Sequence, residues 1–176
     1  MAEHADPARF DFVSRWQLSA DRVSVWDALI DFQSWPDWWP GLTSVEETAP
    51  GNEEGIGQRA ISTWRAPVGY SIDVEIESVE RRKPEFLKGV ATGEVEGSGQ
   101  WTLSEVPSSG AGPNPAQVWT QINFEWLVVA NKKWMEMLDP VARPLFVFSH
   151  EYVMKHGAEG LAGHLGCDMR DFAAGR

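Results

Sequence analysis

The chain has 176 residues, 15 basic and 26 acidic, for a net charge of -11. So acidic a chain is repelled by phosphate backbones and anionic lipid surfaces, which excludes nucleic acid as an expected partner. No run of about 18 apolar residues occurs, so no membrane insertion is expected.

One domain spanning 1–176 is expected at this length, with a substantial core. A single cysteine, Cys167, cannot close an internal disulfide, which fits a reducing, cytoplasmic setting. Ten tryptophans are the unusual feature of the composition. Each buries a large area and carries one N–H in need of a partner, so a roomy aromatic interior would use them well.

In chain order, RFDFVSRWQLS alternates Phe10, Phe12, Trp16 and Leu18 with Asp11, Arg15 and Gln17, the period of a half-buried strand. SADRVSVWDALIDF predicts a helix capped by Ser19 or Asp21, with Val25, Trp26, Leu29 and Ile30 on one face. SWPDWWPG then places Pro36 in the first turn of a short helix that Pro40-Gly41 stops. Six strands are expected next. They include VGYSIDVEIESVERR, where Tyr70, Ile72, Val74 and Ile76 oppose Ser71, Asp73, Glu75 and Glu77. The last is AQVWTQINFEWLV, with Val118, Thr120, Ile122, Phe124 and Trp126 on one side. From about Asn131 the pattern is helical, with a break or restart near Asp139 because of Pro140 and Pro144. Leu138, Ala142, Leu145, Ser149, Tyr152, Val153 and His156 share a side at 100° per residue, with Phe146 at its edge. Gly157 is read as a bend ahead of a turn-rich ending.

The order strand, helix, short helix, six strands, long helix contains no βαβ alternation, so the sheet is antiparallel. A long sheet with one apolar face needs cover, and the last helix is the element long enough to give it. A twisted sheet curling about one helix leaves a space between them.

Three motifs carry a resemblance to a known family. These are W-x-x-WW-P-G at Trp35–Gly41, Gly-x-Val-x-Gly-x-Gly-x-Trp at Gly93–Trp101, and F-x-H-E-x-x-M-x-x-G-x-x-G-L at Phe148–Leu161. Together with the element order they resemble the START/polyketide-cyclase superfamily (SRPBCC, Bet v 1-like). The resemblance implies an α+β helix-grip fold: a curved antiparallel sheet wrapped around a long C-terminal helix, with a central cavity. It also implies binding of a small apolar or aromatic molecule, with a minority of cyclases, dehydratases or hydrolases. It supplies no universal catalytic residue.

The candidate lining follows from the strand and helix patterns. The sheet offers Trp64, Tyr70, Ile72, Val74, Trp101, Leu103, Thr120, Ile122 and Phe124. The helix offers Leu138, Ala142, Leu145, Ser149, Tyr152, Val153 and His156. Trp35, Trp38 and Trp39 are expected to close the mouth, with Trp38 and Trp39 pointing different ways. His156 and Tyr152 are the acid–base candidates should the protein be an enzyme, since an imidazole titrates near neutrality. HEYVMKH is no zinc site: His150 and His156 are six residues apart, which puts their rings about 120° apart around a helix. No motif asks for a metal or a cofactor. Arg59 and Arg65 are placed outward, opposite Ala60, Ser62 and Trp64, although sequence alone leaves that parity open. Lys88, between Leu87 and Gly89, is also placed outward.

Three functions remain in play. The chain binds or carries a small apolar or aromatic molecule. Alternatively it is a cyclase or dehydratase on a polyketide-like or aromatic substrate. Or it is a regulatory protein-interaction module, with a filled cavity and an exposed apolar patch. Monomer and homodimer are both compatible with the sequence.

Overall fold

A computed structural model describes residues 9–107, 117–130 and 142–175. Strand β1, Arg9–Leu18, buries alternate residues from Phe10 to Leu18 and turns Arg9, Asp11 and Arg15 outward. Helix α1, Arg22–Ile30, starts at Asp21, whose carboxylate accepts the backbone N–H groups of Val23 and Ser24 at 3.0 Å each. Those are two of the donors that a helix start leaves without intrahelical partners. A 3-10 turn at Phe32–Ser34 leads into α2, Trp35–Trp38, with Pro36 in its first turn. Gly41 ends the segment at φ 97°, a conformation that favours glycine.

Six strands follow: β2 (Leu42–Pro50), β3 (Gln58–Arg65), β4 (Ser71–Arg82), β5 (Phe86–Gly93), β6 (Val95–Val106) and β7 (Trp119–Ala130). Helix α3 covers Ala142–Leu165 and strand β8 covers Met169–Gly175. The sheet runs β2-β3-β4-β5-β6-β7-β1-β8, with every neighbouring pair antiparallel. It curves around α3 in the α+β helix-grip arrangement expected from the sequence. Gly97 marks one place where the sheet demands glycine: its φ is 153°, and a Cβ there would collide with the Leu127 carbonyl of β7.

Two expectations need correction. Gly157 does not bend α3, which continues through it and through Gly160. The turn-rich ending is a strand, β8, paired with β1 at the edge of the sheet. Asp171, at φ 55°, and a register shift between Arg15 and Gln17 interrupt its alternation, so the period-two signal is lost. The helix expected from Asn131 and its break near Asp139 lie outside the described residues.

The core divides in two. One part packs Trp16, Leu18, Val25, Leu29, Leu103, Ile122 and Leu161 between the sheet, α1 and the C-terminal half of α3. The other packs Phe10, Phe12, Val74, Ala91, Val128 and Phe146 near the start of α3.

Candidate functional site

Alternation sends Ala60, Ser62 and Trp64 of β3, then Ile72, Val74 and Ile76 of β4, toward the concave side of the sheet, while Arg59 and Arg65 are exposed. Gly89, Ala91 and Gly99 leave that surface low, and Leu87, Trp101, Phe124 and Trp126 border it. Phe146, Ser149, His150, Val153 and Met154 face it from α3. The result is a cavity of about 200 Å³ with a mainly apolar wall.

The SWPDWWPG stretch supplies one side of this cavity through Trp35 and Trp39. Both are buried, and both indole N–H groups donate to backbone carbonyls, Trp35 to Ala28 at 3.2 Å and Trp39 to Val153 at 2.9 Å. Trp39 meets Trp64 edge-on at 5.2 Å between ring centroids and Trp101 at 6.2 Å. Trp38 is different. It turns away from the cavity toward His164 of α3, stacking at 5.8 Å. Its ring still stacks on Trp39 at 5.5 Å because Trp39 leaves the helix with extended backbone angles. Gly157 and Gly160 make this docking possible. A Cβ on Gly157 would occupy the Trp39 indole, and one on Gly160 the Trp38 carbonyl.

Few polar groups face the interior. Ser62 accepts the Trp64 indole N–H at 2.9 Å and donates to the Val74 carbonyl at 3.0 Å, so its proton is already committed. Burial raises the pKa of the Tyr70 hydroxyl, an effect that an interaction with Ser149 partly offsets. The third group is His150, only 8% exposed. Its ring stacks on Phe12 at 4.0 Å between centroids and lies 5.3 Å from the Trp126 ring, with nearly parallel planes. Neither ring nitrogen has a hydrogen-bond partner among the described residues. Burial pushes its pKa down to about 3, so the imidazole is neutral at physiological pH. A buried imidazole left with two unused nitrogens is costly, and such a group calls for an explanation.

A second polar cluster lies where β3 begins and β4 ends. Arg81 donates from Nε to Ser78 at 2.8 Å and from Nη2 to Gln58 at 2.6 Å. All three residues line the cavity. Lys88 also contributes to the wall, so its expected outward placement is incomplete.

Of the residues singled out in the sequence, the structure gathers Trp35, Trp39, Trp64, Tyr70, Ile72, Val74, Trp101, Phe124, Ser149 and Val153 around one space. It does not gather the others. Leu103 and Ile122 are sealed in the core beneath α1, and Thr120 donates its hydroxyl to the Ala20 carbonyl at 2.7 Å. Trp38 faces α3, and Leu145 is half-buried away from the cavity wall. Leu138 and the side chain of Ala142 lie outside the described residues. Tyr152 is exposed, and the His156 ring packs against it, tilted, at 3.9 Å between centroids, with Nδ1 2.8 Å from the Tyr152 carbonyl. Neither acid–base candidate therefore reaches the cavity. The reason is helix phase: the inward stripe is Phe146, Ser149, His150, Val153, Met154, Gly157, Ala158 and Leu161, turned by about one residue from the expected one. Phe146-His150-Met154-Ala158 at four-residue spacing was the signal that would have found His150.

Comparisons with known proteins agree with this architecture. Residues 9–165 match the sequence profile of the family described as polyketide cyclase/dehydrase and lipid transport. Comparison with the curated proteins found no match. Among solved structures, the Zhui aromatase/cyclase from Streptomyces sp. R1128 superposes with a TM-score of 0.67 at 14% identity, over 90% of this chain and 94% of that one. A START superfamily protein from Mycobacterium smegmatis gives a TM-score of 0.65 at 14% identity, over 89% and 98% of the two chains. The di-domain ARO/CYC BexL from the BE-7585A biosynthetic pathway gives 0.66 at 16% identity, and there the match covers 89% of this chain but spans only 50% of the other. At such identities the structural likeness speaks for the fold, while the profile match extends over most of the sequence: the chain belongs to the polyketide cyclase/dehydrase and lipid transport family.

Proposed function

We propose that the protein binds a small, mainly apolar or aromatic molecule in the cavity between the curved sheet and α3. The observation that carries this reading is His150: a neutral imidazole, walled by aromatic rings, whose two nitrogens have no partner among the described residues. An apolar cavity with a few convergent hydrogen-bonding groups is what small-molecule recognition requires. A neutral imidazole offers one donor and one acceptor, so a ligand hydroxyl or carbonyl at that point would be matched to it.

The family description and the aromatase/cyclase neighbours make cyclisation or dehydration of an aromatic or polyketide-like substrate the second reading. His150 favours the first. An efficient proton-transfer group titrates near the working pH, and an imidazole held at about 3 is a weak base there. An interaction module with a filled interior is disfavoured by the cavity itself.

Native mass spectrometry of the protein purified from its own host tests the proposal. The expected result is a noncovalent adduct of small-molecule mass, lost on denaturation, whose readdition raises Tm. His150→Phe keeps the stack and removes both nitrogens. It should weaken that ligand by about tenfold while the unliganded Tm changes little. An empty protein whose Tm no apolar or aromatic compound raises would remove the reading.

A further inference from the structure

The charges along the cavity wall point to one chemical class. The chain carries 26 acidic residues against 15 basic ones, yet no aspartate or glutamate lines the cavity among the described residues. The residues of permanent charge along the wall are Arg81 and Lys88, both cations.

Arg81 is half-buried and makes no ion pair among the described residues, where Arg22, Arg59, Arg82, Lys83 and Arg170 each do. Its hydrogen-bond partners among the described residues are neutral, the Ser78 hydroxyl and the Gln58 amide oxygen. These two hydrogen bonds fix the guanidinium plane from two directions. The guanidinium also packs closely against Gly55, where φ is 78° and a Cβ would overlap it. Nη1 and the remaining N–H of Nη2 have no acceptor among the described residues. A guanidinium taken partly out of water without a counter-ion is an unfavourable arrangement that an arriving anion relieves. Its planar fork matches a carboxylate in charge and geometry.

We infer that the cavity takes an apolar molecule bearing a carboxylate, with the carboxylate seated against Arg81 at the Gln58–Ser78 end of the β3–β4 pair. This rests on the cavity being a ligand site, as proposed above. The body of the ligand lies along the aromatic wall, and the carboxylate supplies the anion that the surrounding side chains omit. Ser78 and Gln58 act as positioning residues that hold the guanidinium still.

The experiment compares two matched pairs of probes, dodecanoate with dodecanol and naphthaleneacetate with naphthaleneethanol. Affinities are read by calorimetry and tryptophan quenching at roughly pH 8. The wild-type protein is expected to prefer the acid of at least one pair by about tenfold. Arg81→Met should abolish that preference and leave the alcohol within about twofold, while Arg81→Lys keeps part of it. Equal affinity for acid and alcohol in the wild type overturns the inference and leaves the cavity reading standing. So does Arg81→Met weakening acid and alcohol alike, which would make Arg81 a pin for the adjoining turn. If none of the four probes binds the wild type, the inference and the cavity reading fall together.

Discussion

His150 carries a consequence for stability as well as for binding. Its folded pKa of about 3 lies far below the ordinary histidine value of 6.5. Between those two values the unfolded chain takes up a proton that the folded protein refuses. Stability is therefore full above about pH 6.5 and falls as the pH drops, with a slope approaching ~1.4 kcal/mol per pH unit for one group. Denaturant titrations at pH 7 and roughly pH 5 measure this. His150→Gln, which cannot titrate, should flatten the loss by about 1–2 kcal/mol over that interval. A wild-type and variant pair with the same acid sensitivity would mean that the ring is wetter than its packing indicates.

At the scale of elements, the contact between α2 and α3 governs how closely the short tryptophan helix sits on the long one. Alanine normally stabilises a helix interior over glycine by about 1 kcal/mol. Here the sign reverses. Gly160→Ala sets a methyl group against the Trp38 carbonyl, a backbone atom that cannot swing aside. The expected cost is about 1–3 kcal/mol in urea unfolding. Gly157→Ala meets the buried Trp39 indole, which its bond to Val153 and the neighbouring rings hold in place, so a cost of the same order is expected. A stabilised Gly160→Ala protein would show that the two helices sit further apart. The same contact shows what the sequence disclosed and what it hid. Strand alternation in β1, β4 and β7, a helix cap at Ser19 or Asp21 and the Pro36 helix start were all readable, because each is written in residues close together in the chain. The strand side of the cavity, from Trp64 to Val74, was readable for that reason too. The phase of α3 was not. It depends on which residues meet Trp38 and Trp39, more than 110 positions earlier, as the Trp39–Val153 hydrogen bond illustrates. Two glycines shaped for tryptophans look, within the helix alone, like a place to bend. Arg81 was hidden for a related reason: a bulge between Ser78 and Glu80 shifts the alternation of β4 just before it.

For the molecule as a whole, the net charge of -11 is spread over a surface whose ion pairs are largely exposed. Exposed pairs contribute little, whereas the excess of like charge opposes the compact state. Raising sodium chloride from roughly 20 to 200 mM should therefore raise Tm by a few degrees, by screening repulsion more than attraction. A fall in Tm over that range would assign the surface pairs a larger share than their exposure allows. The attachment of the tryptophan segment bears on traffic into the cavity. Its Trp39 indole is tied to the Val153 carbonyl, and its backbone rests on Gly160. Such a segment behaves as fixed masonry, and a ligand of the proposed kind would have to pass by another route. If the cavity takes a ligand as proposed, the Trp39 indole proton should resist exchange with deuterium through repeated addition and removal of that ligand, keeping its own slow clock.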